Sequence, residues 1–350
     1  MRWRGEQALS HLIQTSYRNP IILEAWPDPA VAGPDRDGLY WCYATDDEKD
    51  PPPRRRFKVA RSRDLVHWET HPEGARHGAF PRPIPNYSCH RGCWAPDVRQ
   101  LQPDAWNFYG ALEFDDHEDE GPNGHGIIAA RSSGPIGFAD PVVLRRGTGF
   151  TVIDPCFFHS TTLEQNFLYW GSGHAPIWGQ ELAADGLSLV PGTEPRAVLA
   201  PTPGDTEDRL WEGLFVFEHP EDRHVILLAS KVDTWVGPYR TYAFRGGAHP
   251  LDRVAGSEAR LLLGENAVWN RCGNVFVLPD AVGQLWLFYH AVRGDAVIPG
   301  TEGIEMMGRR GVPLRQACMD RLLFDTSGLP YVEHGVPSSD VRPGPIVWAP

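Results

Sequence analysis

Leu285-Trp-Leu-Phe-Tyr-His290 is a strand-like run that ends by changing abruptly from bulky apolar side chains to a polar one. Four other stretches share its shape: Leu39-Tyr-Trp-Cys-Tyr-Ala44, Trp106-Asn-Phe-Tyr-Gly110, Phe167-Leu-Tyr-Trp-Gly171 and Val225-Ile-Leu-Leu-Ala229. They recur about every 60 residues, the kind of internal period that marks a propeller or a solenoid. A second run precedes each, opening on a polar residue: Asp28-Pro, Asp97-Val, Asp154-Pro, Glu212-Gly and Asn274-Val. A third, weaker repeat is Val59-Ala-Arg-Ser62 and Ile128-Ala-Ala-Arg-Ser132. Helical periodicity is nearly absent, and Gly, Pro and Asp clusters separate the runs, so the chain reads as all-β. Five small antiparallel sheets cannot each bury both faces alone. Stacked radially they can, which predicts a five-bladed β-propeller. Residues 1–18 are expected as an N-terminal extension and residues 19–350 as one propeller domain.

That topology matters for chemistry because the first strand of every blade lines the central channel. Asp28, Asp97, Asp154, Glu212 and Asn274, read as equivalent positions, are therefore expected around one axis. Four carboxylates crowded together repel one another, which raises the pKa of at least one of them. An acidic residue before a strand often does no more than cap a loop. A ring of four is costly as scaffolding, but it is what acid/base chemistry requires, with one carboxyl protonated and another ionised. His290 breaks the pattern of small residues in the fifth repeat and is expected near the axis, holding water, a metal or a carboxylate.

The rest of the composition narrows the partner. The chain has 350 residues, a formal net charge of −12 and 13 Trp, 10 Tyr and 15 Phe. That balance argues against nucleic acid, whose phosphates need a basic face. The aromatics pack cores first and also stack on sugar rings. Trp26, Trp94, Phe157 and Trp178 lie beside or between the acidic motifs and are the candidates for a pocket wall. Neither a signal-peptide pattern nor an apolar stretch of membrane-spanning length is read, so no membrane partner and a cytoplasmic, monomeric protein are expected. Removal of a leader would make it secreted. Cys89-His90-x-x-Cys93 lacks a second ligand pair at zinc spacing, so the six cysteines are expected as free thiols.

The motifs taken in order resemble glycoside hydrolase family 43. Those motifs are Asn19-Pro20, Asp28-Pro29, Ala60-Arg-Ser-Arg-Asp-Leu-Val-His-Trp68, Trp94-Ala-Pro-Asp97, Ile153-Asp154-Pro155, Trp211-Glu212-Gly213, Tyr289-His290-Ala291 and Leu322-Leu-Phe-Asp-Thr-Ser-Gly-Leu-Pro330. The resemblance implies a glycosidase acting on arabinose-, xylose- or galactose-containing oligosaccharides with inversion. Asp28 would be the general base, Glu212 the general acid and Asp154 the residue that orients the acid and tunes its pKa. Asp97 would support the site, and one arginine of the last blade would contact substrate. Arg309, Arg310 and Arg315 all stand in that stretch, and Arg309 is carried forward as the candidate. The family's central histidine, often near calcium or a water cluster, matches His290; no cofactor is otherwise required. A non-catalytic carbohydrate-binding propeller and a retaining, invertase-like fructosidase are the rival readings.

Overall fold

The computed structural model describes residues 11–46, 54–87, 92–115, 124–172, 175–200, 211–232, 234–235, 237–306 and 308–349. Five sheets, each built on four antiparallel strands taken in chain order, follow one another as the blades of a β-propeller. Blade one comprises Ala30–Ala32, Tyr40–Ala44, Lys58–Ser62 and Trp68–Thr70, and blade two Cys93–Gln102, Ala105–Glu113, His125–Ser132 and Ala139–Gly147. Blade three contains Cys156–Ser160, Gln165–Trp170, Ile177–Leu182 and Arg196–Ala200, with Val254–Ala255 added in parallel at its outer edge. Blade four is Trp211–Glu218, Val225–Lys231, Arg240–Arg245 and Arg260–Leu263. Blade five is Trp269–Pro279, Leu285–Val297, Pro313–Phe324 and Pro330–Val332. The aromatic runs picked out by the repeat are the second strands, whose side chains are buried on both faces because a neighbouring blade covers each.

The blades adhere through apolar side chains. Between blades one and two, Tyr43, Phe57, Phe80, Phe108 and Phe138 form a cluster, with Phe57 and Phe108 centroids 4.6 Å apart and edge-on. A Cβ on Gly110 would lie 2.4 Å from the Phe57 ring, so glycine there lets that ring settle against the strand. Burying a side chain of this size stabilises by about 1.5–3 kcal/mol, and every blade boundary contains several. A second cluster, around Tyr109, Phe157 and Leu168, joins blades two and three, and the largest joins the remaining blades.

The ring is closed by the chain ends. Leu12–Tyr17, placed in the extension by the sequence, pairs antiparallel with Arg342–Trp348. The Asn19 side chain both donates to the Met319 carbonyl and accepts from the Met319 amide, and it also donates to Asp320. Further on, the amides of Ile21 and Trp26 donate to the carbonyls of Ala317 and Arg315. This segment carries the chain from blade five to blade one and delivers Asp28 to the axis.

The inner strands share a backbone feature that sets the site. Ala30, Asp97, Cys156, Phe215 and Phe276 are paired with Tyr43, Tyr109, Tyr169, Leu228 and Phe288 of the second strands and so occupy equivalent places. Two residues before each stands a left-handed residue: Asp28 (φ 55°), Ala95 (39°), Asp154 (55°), Gly213 (59°) and Asn274 (49°). Asp, Asn and Gly tolerate that conformation best. In blades two, four and five the turn coincides with a register shift, between Trp94 and Asp97, Glu212 and Phe215, and Gly273 and Phe276. The expected equivalence of Asp28, Asp97, Asp154, Glu212 and Asn274 is corrected accordingly. Asp97 stands two residues deeper along its strand, and Glu212 one residue before the turn.

Candidate active site

Three carboxylates converge at one end of the channel, those of Asp28, Asp154 and Glu212. Asp28 is buried, 7% exposed, and each of its oxygens has a donor. Thr45 Oγ1 donates to Oδ2 at 2.5 Å, and Arg315 Nη1 lies 3.2 Å from Oδ1 and 3.5 Å from Oδ2. Burial pushes this carboxyl up, but Arg315, His290 and Thr45 outweigh it and hold it below the usual carboxylate range. Asp28 is therefore ionised wherever the protein is folded near neutral pH.

Asp154 has the opposite environment. Its Oδ2 accepts the Gly213 amide at 2.8 Å, which fixes the side chain between blades three and four. Burial first, then the charges of Glu212 and Asp28, push it well above the usual range, against the Gly213 bond and Arg315. Glu212, at the start of its strand, accepts a 2.6 Å bond from Ser172 Oγ at its Oε2. Two acids this close do not ionise independently, and the pair keeps a proton past the point where an isolated carboxyl loses it.

Arg315 comes from the third strand of blade five, is 8% exposed, and stacks its guanidinium on Trp235 at 5.4 Å. Arg309, by contrast, lies on an exposed two-residue strand of the Glu305–Met306/Arg309–Arg310 hairpin. The choice of Arg309 is corrected in placement: it is the Arg315 side chain that reaches the Asp28 carboxylate, while Arg309 stands on the exposed hairpin. His290 is fully buried. Its Nδ1 is 3.2 Å from the Asp28 amide and 3.0 Å from Asp28 Oδ1, its Nε2 is 3.2 Å from Thr234 Oγ1, and Tyr239 stacks parallel on the ring at 5.7 Å. Calcium takes six to eight oxygen ligands. Here the imidazole offers nitrogens that already face protein partners, and the neighbouring Asp28 oxygens are engaged by Arg315 and Thr45. The donor set does not fit that ion.

Asp97 is not part of this group. It is 2% exposed, with Arg99 Nε 2.7 Å from Oδ1 and the Phe157 amide donating to Oδ2 at 2.6 Å. Arg99 in turn lies over the rings of Phe215 and Phe276, at 4.8 and 4.6 Å. This strut links blades two to five beneath the site. A cavity of about 20 Å³ on the axis, lined by Asp97, Asp154, Gly213 and Asn274 among others, lies around it.

Of the four aromatic candidates, only Trp94 is half-buried at the site end of an inner strand. It stacks on His125 at 4.2 Å and on Phe150 at 5.6 Å, and Phe150, 46% exposed, lies on the stretch leading to Asp154. Trp26 is core: it is 3% exposed and its indole N–H points at Cys42 Sγ. Phe157 is buried against Tyr109, with centroids 5.5 Å apart. Trp178 packs on the cluster between blades two and three. Proximity to a motif in sequence did not give these three a place at the pocket. Thr45, Ser172, Thr234, Trp235 and Tyr239 were not anticipated. Thr45 lies two residues past Tyr43 as His290 lies two past Phe288, an equivalence that the strand register gives and the aligned sequence runs do not. Cys89 and His90 fall outside the described residues, and Cys93 is a buried free thiol.

Comparisons with known proteins give the family and the fold. The profile of glycosyl hydrolases family 43 matches residues 17–330. Among solved structures, an α-L-arabinanase mutant from Cellvibrio cellulosa superposes with a TM-score of 0.67 at 15% identity, covering 90% of this chain and 96% of that one. An exo-1,5-α-L-arabinanase from a bovine ruminal metagenomic library gives 0.67 at 18% identity, over 89% and 98% of the two chains. A xylan β-1,4-xylosidase from Bacillus halodurans C-125 gives 0.66 at 16% identity, over 93% of this chain and 59% of its own. No curated protein sequence matches the chain.

Proposed function

The chain belongs to glycosyl hydrolases family 43, and from that premise we propose that it cleaves arabinose-, xylose- or galactose-containing oligosaccharides by single displacement with inversion. The observation that carries the reading is the contrast between its carboxyl groups. Asp28 is driven toward the ionised form by a cation and a hydroxyl, while the Asp154–Glu212 pair is driven to retain a proton. Environments that push titrating groups apart in this way divide them into base and acid.

Asp28 takes a proton from water as the water oxygen attacks the anomeric carbon. Glu212 gives a proton to the departing glycosidic oxygen as the old C–O bond breaks. The step leaves Asp28 protonated and the acid pair without its proton, and exchange with solvent restores both. Asp154, tied to the Gly213 amide, keeps a negative or proton-sharing neighbour beside Glu212. Inverting pairs stand about 6.5–9.5 Å apart to admit the water, whereas retaining pairs stand about 5–5.5 Å apart. Arg315 holds the base, and with Trp235 it presents a flat cationic surface toward the sugar. Trp94 and Phe150 supply the aromatic wall.

The test is release of 4-nitrophenol from aryl α-L-arabinofuranoside, β-D-xyloside and β-D-galactoside, with the first-formed anomer read by proton NMR. One glycoside should be cleaved with inversion, and Asp28→Ala and Glu212→Ala should each lose a factor of about 100 or more. A retained anomer would move Asp28 to the role of nucleophile. Binding of oligosaccharide with no product from any substrate would make the protein a sugar-binding propeller.

A further inference from the structure

Each of the five blade boundaries is crossed by the same kind of bond, a main-chain N–H of one blade donating to a side chain of the blade before it. Ala95 donates to Thr45 Oγ1 (2.8 Å), Phe157 to Asp97 Oδ2 (2.6 Å), Gly213 to Asp154 Oδ2 (2.8 Å), Asn274 to Ser230 Oγ (2.9 Å) and Asp28 to His290 Nδ1 (3.2 Å). In four of the five the donor is the left-handed residue itself. Thr45, Ser230 and His290 also occupy one register slot, two residues past the paired position of the second strand. Blades two and three have Ala111 and Gly171 in that slot, which offer no acceptor, and there the aspartates take over.

We propose that His290 is the closing latch of this ring, a positioning residue whose neutral Nδ1 accepts the Asp28 amide and so holds the base in its left-handed turn, and not a ligand for a central cation. A non-glycine residue at φ 55° is strained unless its surroundings fix it. The Asp28 carboxylate does not need the imidazole, because Thr45 and Arg315 already serve both oxygens. The buried Asp28 amide does need an acceptor, and among the described residues Nδ1 is the one it is bonded to. With Nδ1 accepting, the proton sits on Nε2 and faces Thr234 Oγ1. Burial disfavours an imidazolium, and Arg315 acts in the same direction; the Asp28 carboxylate, with Oδ1 3.0 Å from Nδ1, opposes them without outweighing them. Only at this boundary does the latched residue also carry the attacking chemistry, so the latch is worth more there than elsewhere. That last step rests on the proposed role of Asp28; the assignment of the latch and of its tautomer does not.

Two measurements read the latch without any substrate. Long-range proton–nitrogen NMR of the histidine rings, assigned by the signal missing from His290→Asn, should show Nδ1 bare and Nε2 protonated across the neutral range. Melting with and without EDTA should give the same midpoint, and added calcium should not raise it. A protonated Nδ1, or a chelator-sensitive midpoint that calcium restores and His290→Asn abolishes, would overturn the proposal. The third measurement uses whichever aryl glycoside is cleaved. His290→Ala should lower kcat about 100-fold with KM little changed, and His290→Asn, whose amide oxygen can accept the Asp28 N–H, should recover to within about tenfold of wild type. Ser230→Ala, the matching latch between blades four and five, should lower the melting temperature comparably yet keep kcat within about threefold. Equal loss of rate in Ser230→Ala and His290→Ala would reduce His290 to general scaffolding. A wild type that releases no product from aryl glycosides or oligosaccharides would remove Asp28 as base, and the NMR and melting results would still decide the latch.

Discussion

Arg315→Met removes the cation that holds Asp28 ionised while keeping much of the side chain's volume. The guanidinium lies 3.2 and 3.5 Å from the two carboxylate oxygens, and both side chains are under one-tenth exposed. Two charges about 4 Å apart at an effective dielectric of about 20 interact by about 4 kcal/mol, equivalent to about three pKa units. Thr45 and His290 stay in place and water relaxes into the gap, so a net rise of about two units is expected for Asp28. The sign follows from the role. A base works ionised, so the rate falls as pH falls through its pKa. In the wild type that limb lies below the ordinary carboxylate range, because Asp28 is depressed. In Arg315→Met it should move up by about two units, into a range where the protein is still folded. Arg315→Lys keeps a charge but loses the planar contact with Trp235; it should be slower with its limb near that of wild type. The assay is the initial rate of glycoside cleavage from about pH 2.5 to about pH 8, with folding checked by circular dichroism at each pH. If Arg315→Met is slower by one constant factor at every pH, Arg315 only binds substrate and the argument about Asp28 fails.

Ser172→Ala removes the hydroxyl that donates to Glu212, a bond that favours the ionised form of the acid. The basic limb of the pH–rate profile should move up by less than about one unit and kcat should fall about tenfold; an unmoved limb would confine Ser172 to packing. Asp154→Asn should stabilise the protein while slowing it. A carboxyl with a raised folded pKa contributes stability below its unfolded value and loses it as pH rises through the folded one. The amide can still accept the Gly213 N–H, so the variant's melting temperature should exceed that of wild type near pH 8. The gap should close toward about pH 4, and kcat should be about 100-fold lower. A gap independent of pH would mean that repulsion among the acids is not what Asp154 stores.

The repeat was legible because propeller blades bury their second strands on both sides, and that burial writes an aromatic, β-branched run into the chain five times. Asp28, Asp154 and Glu212 were legible for the same reason, since each stands just ahead of an inner strand or at its start. What spacing could not show was register. The shifts at Trp94/Asp97, Glu212/Phe215 and Gly273/Phe276 each add residues that pair with nothing, so counting along the chain misaligns the blades by one or two places. Asp97 was thereby set level with Asp28 when it lies deeper, against Arg99. The aromatic wall failed for a related reason. Whether Phe157 faces a sugar or the core depends on which side of its strand it leaves, and one residue of shift exchanges the two, while Trp26 lies in the segment ahead of the first strand, where no alternation applies. Arg315 was hidden by the stretch 294–312, whose sequence has no alternation from which to find the strand that begins at Pro313.

Three aspartates in one channel end in three different states, and the difference is in their neighbours. Asp97 faces a single arginine with apolar rings around it and becomes a strut. Asp28 faces an arginine, a hydroxyl and an imidazole, and becomes a fixed anion. Asp154 faces a glutamate, and the two hold a proton between them. Taken together, Asp28 and the acid pair contribute two negative charges and Arg315 one positive, leaving the proposed reaction centre one unit negative in a site largely removed from water. A glycosidic bond breaks through a transition state with oxocarbenium character, so positive charge develops on the sugar where none existed before. A fixed negative excess in a low-dielectric site favours that state over the neutral substrate. The cation beside Asp28 therefore cannot be doubled without cost: a second one would hold the base as firmly but would cancel the field the reaction needs. That is a physical reason for the site to combine one arginine with neutral neighbours, the Thr45 hydroxyl that donates to the carboxylate and the proposed His290 latch that accepts the backbone amide, in place of a second cation.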